Sequence, residues 1–231
     1  MRPEDAAADV IEFEGVGVEA EGRPILSDVS VRLAARRTAV IGGNGSGKST
    51  FARLLNGLRL RNSGRISVLG LDPAHEADEL RRKVGFVFTN PEAQILMPTA
   101  AEDLALSLRG MPRHQIPARI EEVLAEYALA GLGDVPASGL SGGQRQLLAL
   151  ASVLVTGPEL VVADEPTTLL DLRNARRIGD LLLALESRLV LVTHDLELAA
   201  RCDEALLFED GRVRAQGDPA EVIGEYRVSC A

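Results

Sequence analysis

The sequence predicts a mixed α/β fold: a mostly parallel sheet covered on both faces, with a block of helices inserted into it. Three observations predict this. Short apolar runs of strand length alternate with helical patterns. One of those runs feeds a glycine-rich loop that opens a helix. A stretch rich in Ala, Leu and Glu, from residue 100 to about 131, interrupts the alternation. The 231 residues are enough for one large domain, read here as 1–231, with the helical part at about 100–158.

Taken in order, residues 10–13 and 29–33 read as short strands near a turn at Gly22, Arg23 and Pro24. Residues 38–41 form a short apolar run, and residues 49–58 after the glycine-rich loop read as a helix. Residues 65–69 and 84–88 read as strands. Within the helical block, Gly110, Pro112 and Pro117 break the pattern into pieces. Residues 131–139 are a loop, 144–155 a helix and 160–163 a buried strand. A helix at 172–186, a strand at 189–193 and a helix at 196–201 follow. Residues 205–208 and 212–215 form a hairpin around Asp210-Gly211. Residues 219–226 close the chain as a helix with Asp218 as its N-cap.

Composition narrows the function. The net charge of −9 argues against a phosphate-backbone-binding face, so no nucleic-acid partner is expected. Trp is absent and aromatics make up only 3%, which argues against stacking platforms for single strands. Cys202 and Cys230, the two cysteines, make neither a disulfide framework nor a metal cluster and read as reduced thiols. Residues 1–9 are acidic and alanine-rich, without the apolar run of a signal peptide. No stretch reaches the ~18 apolar residues of a spanning helix, so a membrane role needs another chain to hold this one there.

The loop Gly42-Gly43-Asn44-Gly45-Ser46-Gly47-Lys48-Ser49-Thr50 has the spacing of a phosphate cradle. Glycines let successive N–H groups turn toward phosphate oxygens, and the helix that begins near Lys48 adds its positive end. The Lys48 ammonium should reach the β- and γ-phosphates of ATP, and the Ser49 hydroxyl should ligate Mg²⁺. Lys48 and Lys83 are the only lysines, which makes this placement informative. The run Leu160-Val161-Val162-Ala163-Asp164-Glu165-Pro166 is an apolar strand ending in two carboxylates. At the carboxyl edge of a parallel sheet it faces the nucleotide crevice. Asp164 then holds Mg²⁺, and Glu165 takes a proton from the attacking water or orients it. Alone, an acidic pair after a strand is as well explained by a solvated loop. Leu140-Ser141-Gly142-Gly143-Gln144 precedes a helix and offers a hydroxyl and free N–H groups to an anion. Because one helix already serves the phosphates within the chain, this second end is most useful to the nucleotide of another copy.

With these motifs in this order, followed by Thr168-Leu169-Leu170-Asp171 and Val192-Thr193-His194-Asp195, the chain resembles the ABC ATPases from residue 10 to about 226. The resemblance implies the P-loop NTPase fold of ABC ATPases, with a RecA-like core, an antiparallel β subdomain and an inserted α-helical subdomain. It implies a homodimer or heterodimer that sandwiches two ATP molecules between the P-loop of one subunit and Ser141, Gly142, Gly143 and Gln144 of the other. Asp171 belongs to the loop that crosses the seam. His194 becomes a switch histidine contacting the γ-phosphate and Glu165.

Two positions depart from that family. Thr89 stands where a Gln is usual, and residues 18–21 read Val-Glu-Ala-Glu where an adenine-stacking aromatic is expected near Ala20. Phe13 reads as core, and Gln94 as a contact or helix residue. Both departures are expected to slow turnover and weaken ATP binding without abolishing either. Asn90-Pro91-Glu92-Ala93-Gln94, with residues 98–105, resembles the energy-coupling factor group of vitamin and metal-ion importers. Residues 164–174 and 193–198 look closest to the biotin-transport ATPases of that group, with cobalt and nickel systems next. That implies peripheral attachment at the cytoplasmic face of the cell membrane, a coupling transmembrane protein and a small substrate-binding membrane protein. The alternatives are a soluble ABC assembly factor and a regulatory ATP-sensing module, the latter opposed by an intact Glu165.

Overall fold

The computed structural model describes residues 10–230, so the reading of residues 1–9 lies outside the described residues. β1 (Ile11–Ala20), β2 (Arg23–Leu33) and β4 (Ser63–Val68) form an antiparallel sheet in the order β2-β1-β4. β3 (Arg37–Gly42), β5 (Val84–Val87), β6 (Leu160–Asp164), β7 (Arg188–Val192), β8 (Glu204–Glu209) and β9 (Arg212–Gly217) form the central sheet, ordered β5-β6-β7-β3-β8-β9. Its strands run parallel except β9, which pairs with β8 as a hairpin. The helices are α1 (Lys48–Leu54), α2 (Ala77–Lys83), α3 (Ala100–Ser107), α4 (Ile116–Glu126), α5 (Gly142–Leu154), α6 (Leu172–Leu183), α7 (Leu196–Ala199) and α8 (Pro219–Ser229).

The central strands are buried on both faces, and their side chains divide by alternation. Ile41, Val161, Ala163 and Leu191 face α3, α5 and α6 in one core. Val40, Val162, Val190 and Val192 face α1 and the antiparallel sheet in the other. In that second core Phe13, Phe51 and Phe208 pack ring against ring, with centroids 4.8 and 5.1 Å apart, which holds α1 between the two sheets. Phe13 is core, as its sequence position implied. Cys202 and Cys230 are free, and burial pushes the Cys202 thiol up to about 12.

Four elements differ from the sequence reading. β1 and β2 extend toward each other and meet at a turn at Glu21-Gly22, because β1 keeps its alternation only after register shifts between Phe13 and Val18. α1 ends at Leu54, since Gly57 takes a left-handed φ of 69° that stops the helix. α2 went unread: it buries only Leu80, so it has almost no apolar period to detect.

α3, α4 and α5 lie between β5 and β6 in the chain. α3 starts in a reciprocal cap in which Thr99 accepts from Glu102 N–H and the Glu102 carboxylate accepts from Thr99 N–H. Asp103, 3% exposed, ties this block to the loop after β5. Its Oδ1 accepts from Leu96 N–H at 2.9 Å and Met97 N–H at 3.2 Å, and its Oδ2 from the Ser152 hydroxyl at 2.8 Å. Replacing it by Ala strands those donors. Asp103→Ala should therefore lower the unfolding free energy by about 2–3 kcal/mol in urea titration.

Candidate functional site

The order β6-β7-β3 brings three chain reversals to one edge of the sheet. Asp164 lies opposite Val192, and Val192 opposite Val40, so the loops after β6, β7 and β3 emerge side by side. Gly42 ends β3 with a φ of 142°, and an added Cβ there would collide with the Phe208 carbonyl on neighbouring β8. Gly47, at φ 102°, turns the chain into α1.

The Lys48 side chain folds back over this loop. Its Nζ donates to the carbonyls of Gly42 and Gly43, both at 2.8 Å. An ammonium has three donors, so one is left for an anion. Burial lowers the Lys48 pKa, while the charges of Glu165 and Asp164 oppose that shift. Ser46 Oγ is buried with no hydrogen-bond partner. A charged group with a donor to spare beside an orphaned hydroxyl fits a bound phosphate. Asn44, Gly45, Ser46, Gly47, Lys48, Ser49 and Thr50 line one cavity with Ile25 and Glu165.

The Ser49 hydroxyl donates to Asp164 Oδ1 at 2.9 Å, joining the start of α1 to the end of β6. Burial raises the Asp164 pKa, and the Ser49 hydrogen bond works against that. Among the described residues, no group of three His, Cys, Asp or Glu side chains could enclose a metal. A hydroxyl and one carboxylate suit a hard cation that keeps its remaining ligands as water and phosphate oxygen.

Glu165 adopts a left-handed φ of 52°, unusual for a residue with a side chain and of the kind found where structure over-determines a functional position. Its N–H donates to the Val192 carbonyl at 2.9 Å. Its carboxylate Oε2 lies 2.6 Å from His194 Nδ1, with the His194 N–H at 3.4 Å and the Thr168 hydroxyl at 2.9 Å. Because a carboxylate accepts, Nδ1 carries the proton and Nε2 is left for another group. Glu165, His194 and Thr168 share a second cavity, of about 530 Å³, with Gly42, Gly43, Asn44, Thr89 and Tyr226.

Ser141 caps α5: its hydroxyl accepts from Gln144 N–H, and the Gln144 side chain accepts from Ser141 N–H. Gly143 packs on Asn174, whose side chain donates to Asp171 at 2.7 Å. Asp171 is exposed and caps α6, and the hydrogen bonds from Asn174 lower its pKa. Ser141, Gly142, Gly143, Gln144 and Asp171 line neither cavity that the P-loop shares with Glu165.

Three residues join the site in contacts that no motif specified, Thr168 among them although it opens the Thr168–Asp171 motif. Thr89 donates its hydroxyl to the Asp164 carbonyl at 2.7 Å and lines the Glu165 cavity. Thr168 and Tyr226 arrive through a chain reversal and through the docking of α8 on β8. Gln94 is a strut: it accepts from Phe88 N–H at 3.1 Å and donates to the Ala149 carbonyl of α5 at 2.7 Å.

Known proteins are similar to this chain in sequence and fold. Residues 26–168 match the family model described as ABC transporter. The biotin transport ATP-binding protein of Rhizobium etli is 42% identical, over 94% of this chain and 97% of that one. The nickel import ATP-binding protein of Rhodobacter capsulatus is 40% identical, over 92% and 90%. Among solved structures, cbiO1 from Clostridium perfringens, part of the ABC transporter complex cbiONQ, superposes with a TM-score of 0.82 at 31% identity, covering 94% of this chain and 92% of that one.

Proposed function

The chain belongs to the ABC transporter family and is an ATP hydrolase, and from that premise we propose that it powers an energy-coupling factor importer of a vitamin or metal ion. The observation that carries the catalytic part is the clamp on Glu165, a carboxylate held by His194 at the mouth of the phosphate loop. In this reading residues 42–50 cradle the phosphates, with Lys48 donating to the β- and γ-oxygens. Ser49 and Asp164 hold Mg²⁺, which when bound draws charge from the phosphate oxygens. Glu165 accepts a proton from water as the water oxygen bonds to the terminal phosphorus. The bond from that phosphorus to the β–γ bridging oxygen breaks, and ADP leaves with the electron pair. His194 donates from both ring nitrogens, Nδ1 to Glu165 and Nε2 to the terminal phosphate.

The helical block of residues 100–158 is read as an inserted subdomain of a single domain spanning 1–231. Its Ser141–Gln144 cap, which lines neither cavity of the P-loop, is read as the half-site for a second ATPase subunit's nucleotide. Asp171 belongs to the seam between the two. Among the described residues no helix is long and apolar enough to cross a membrane, so attachment falls to partner proteins. A groove in which Ile95, Leu96, Met97 and Pro98 stand beside the charged Glu92 and Arg145, with Leu96 72% exposed, supports docking of a coupling transmembrane protein. A small substrate-binding membrane protein completes the assembly, at the cytoplasmic face of the membrane. Biotin is the cargo favoured by the Rhizobium relative, and nickel by the Rhodobacter one.

The cargo is tested by equilibrium binding of labelled biotin and of Ni²⁺ to the detergent-extracted complex. Saturable biotin binding at stoichiometric sites is expected. Saturable Ni²⁺ binding without biotin binding would move the assignment to metal import, and binding of neither would remove both cargoes.

A further inference from the structure

We infer that the Thr168 hydroxyl is a positioning group for Glu165, without which the carboxylate does not hold the orientation needed to receive a proton. The inference rests on the reading of Glu165 as the proton acceptor. Its basis is local geometry. β6 ends at Asp164, Glu165 takes its left-handed φ of 52°, and the chain turns back so that Thr168 N–H approaches the Glu165 carbonyl at 3.4 Å. That reversal carries the Thr168 hydroxyl to 2.9 Å from Glu165 Oε2.

Oε2 thereby meets two side-chain donors, Thr168 Oγ1 and His194 Nδ1, together with the His194 N–H. They come from different segments, one after β6 and the other after β7. With donors from two segments on one oxygen, rotation of the carboxylate about its Cγ–Cδ bond breaks hydrogen bonds. Oε1 has no hydrogen bond among the described residues and is the oxygen left for water. Thr168 lines the same cavity as Glu165 and His194, so its hydroxyl acts inside the site. The fold makes little use of it: Thr168 is exposed, and neither core includes it. A hydroxyl free to bond solvent is instead committed to the one carboxylate that the chemistry needs.

The test compares Thr168→Val, which keeps the shape and removes the hydroxyl, with Thr168→Ser, which keeps the hydroxyl. Steady-state phosphate release and ATP affinity are measured for each, alone and with Glu165→Gln. Thr168→Val should lower kcat about tenfold, with KM for ATP within about twofold of the parent, and Thr168→Ser should restore kcat to within about twofold. With Glu165→Gln in place, Thr168→Val should add nothing. Melting temperatures accompany each assay, and Thr168→Ala replaces the Val variant if that one does not fold. An unchanged kcat in the Val variant, or a Ser variant as slow as Val, overturns the inference. If Glu165→Gln itself leaves hydrolysis intact, the reading of Glu165 falls, and this inference with it.

Discussion

Glu165→Gln should bind ATP and hydrolyse it about 10²- to 10⁴-fold more slowly than the parent chain, the range lost with a positioned general base. The substitution is nearly isosteric. A carboxamide oxygen can still accept from His194 Nδ1 and Thr168 Oγ1, which sit 2.6 and 2.9 Å from Oε2, so the side chain keeps its place. The strained backbone at φ 52° and the hydrogen bond from Glu165 N–H to Val192 do not depend on the charge. What disappears is the ability to take a proton. Phosphate release should collapse while ATP affinity, measured by equilibrium titration, stays near that of the parent. A loss of affinity in step with the rate would mean that Glu165 acts in binding and not in the chemical step.

Lys48→Ala should act the other way, on binding first. Lys48 Nζ holds the Gly42 and Gly43 carbonyls at 2.8 Å and offers its remaining donor to phosphate. Its removal leaves those carbonyls without their cation and the phosphates without a charge-assisted bond. Truncating one member of a buried, hydrogen-bonded charge pair costs about 2–5 kcal/mol, which corresponds to ATP affinity weaker by about 30- to 4,000-fold. The fold should survive, because α1 is anchored through Phe51 between Phe13 and Phe208 and not through Lys48. Isothermal titration with ATP, alongside thermal unfolding of both chains, separates the two effects.

The phosphate loop was legible because its geometry is local: glycines at residues 42, 45 and 47 and the lysine after them specify a turn within nine residues. The pairing of Ser49 with Asp164 was legible by role, since a hydroxyl at the helix start and a carboxylate at a neighbouring strand end serve the same cation. The cavity contacts of Thr168 and Tyr226 were not legible: Thr168 opens the Thr168–Asp171 motif, but its bond to Glu165 depends on a backbone reversal, and the place of Tyr226 depends on where α8 docks. Neither leaves a pattern in spacing. Gln94 reads in the sequence as a contact or helix residue, but its two-ended bridge from Phe88 to Ala149 needs the β5 and α5 positions in three dimensions. Thr89 was read as a departure in a usual glutamine position. Its bond to the Asp164 carbonyl gives it a structural job that the side-chain type alone does not reveal. In the fold, α2 and the full length of β1 escaped because one helix has a single buried apolar residue and the strand shifts phase at its bulges.

The account's central claim is that ATP hydrolysis in this chain drives a membrane assembly. The most direct measurement is to tag the chain, extract native membranes in mild detergent, and assay what co-purifies for both identity and ATP turnover. The account predicts a complex containing a coupling transmembrane protein and a small substrate-binding membrane protein, with turnover that Glu165→Gln lowers by about 10²-fold or more. Recovery with soluble proteins alone, with the chain missing from the membrane fraction, would contradict it.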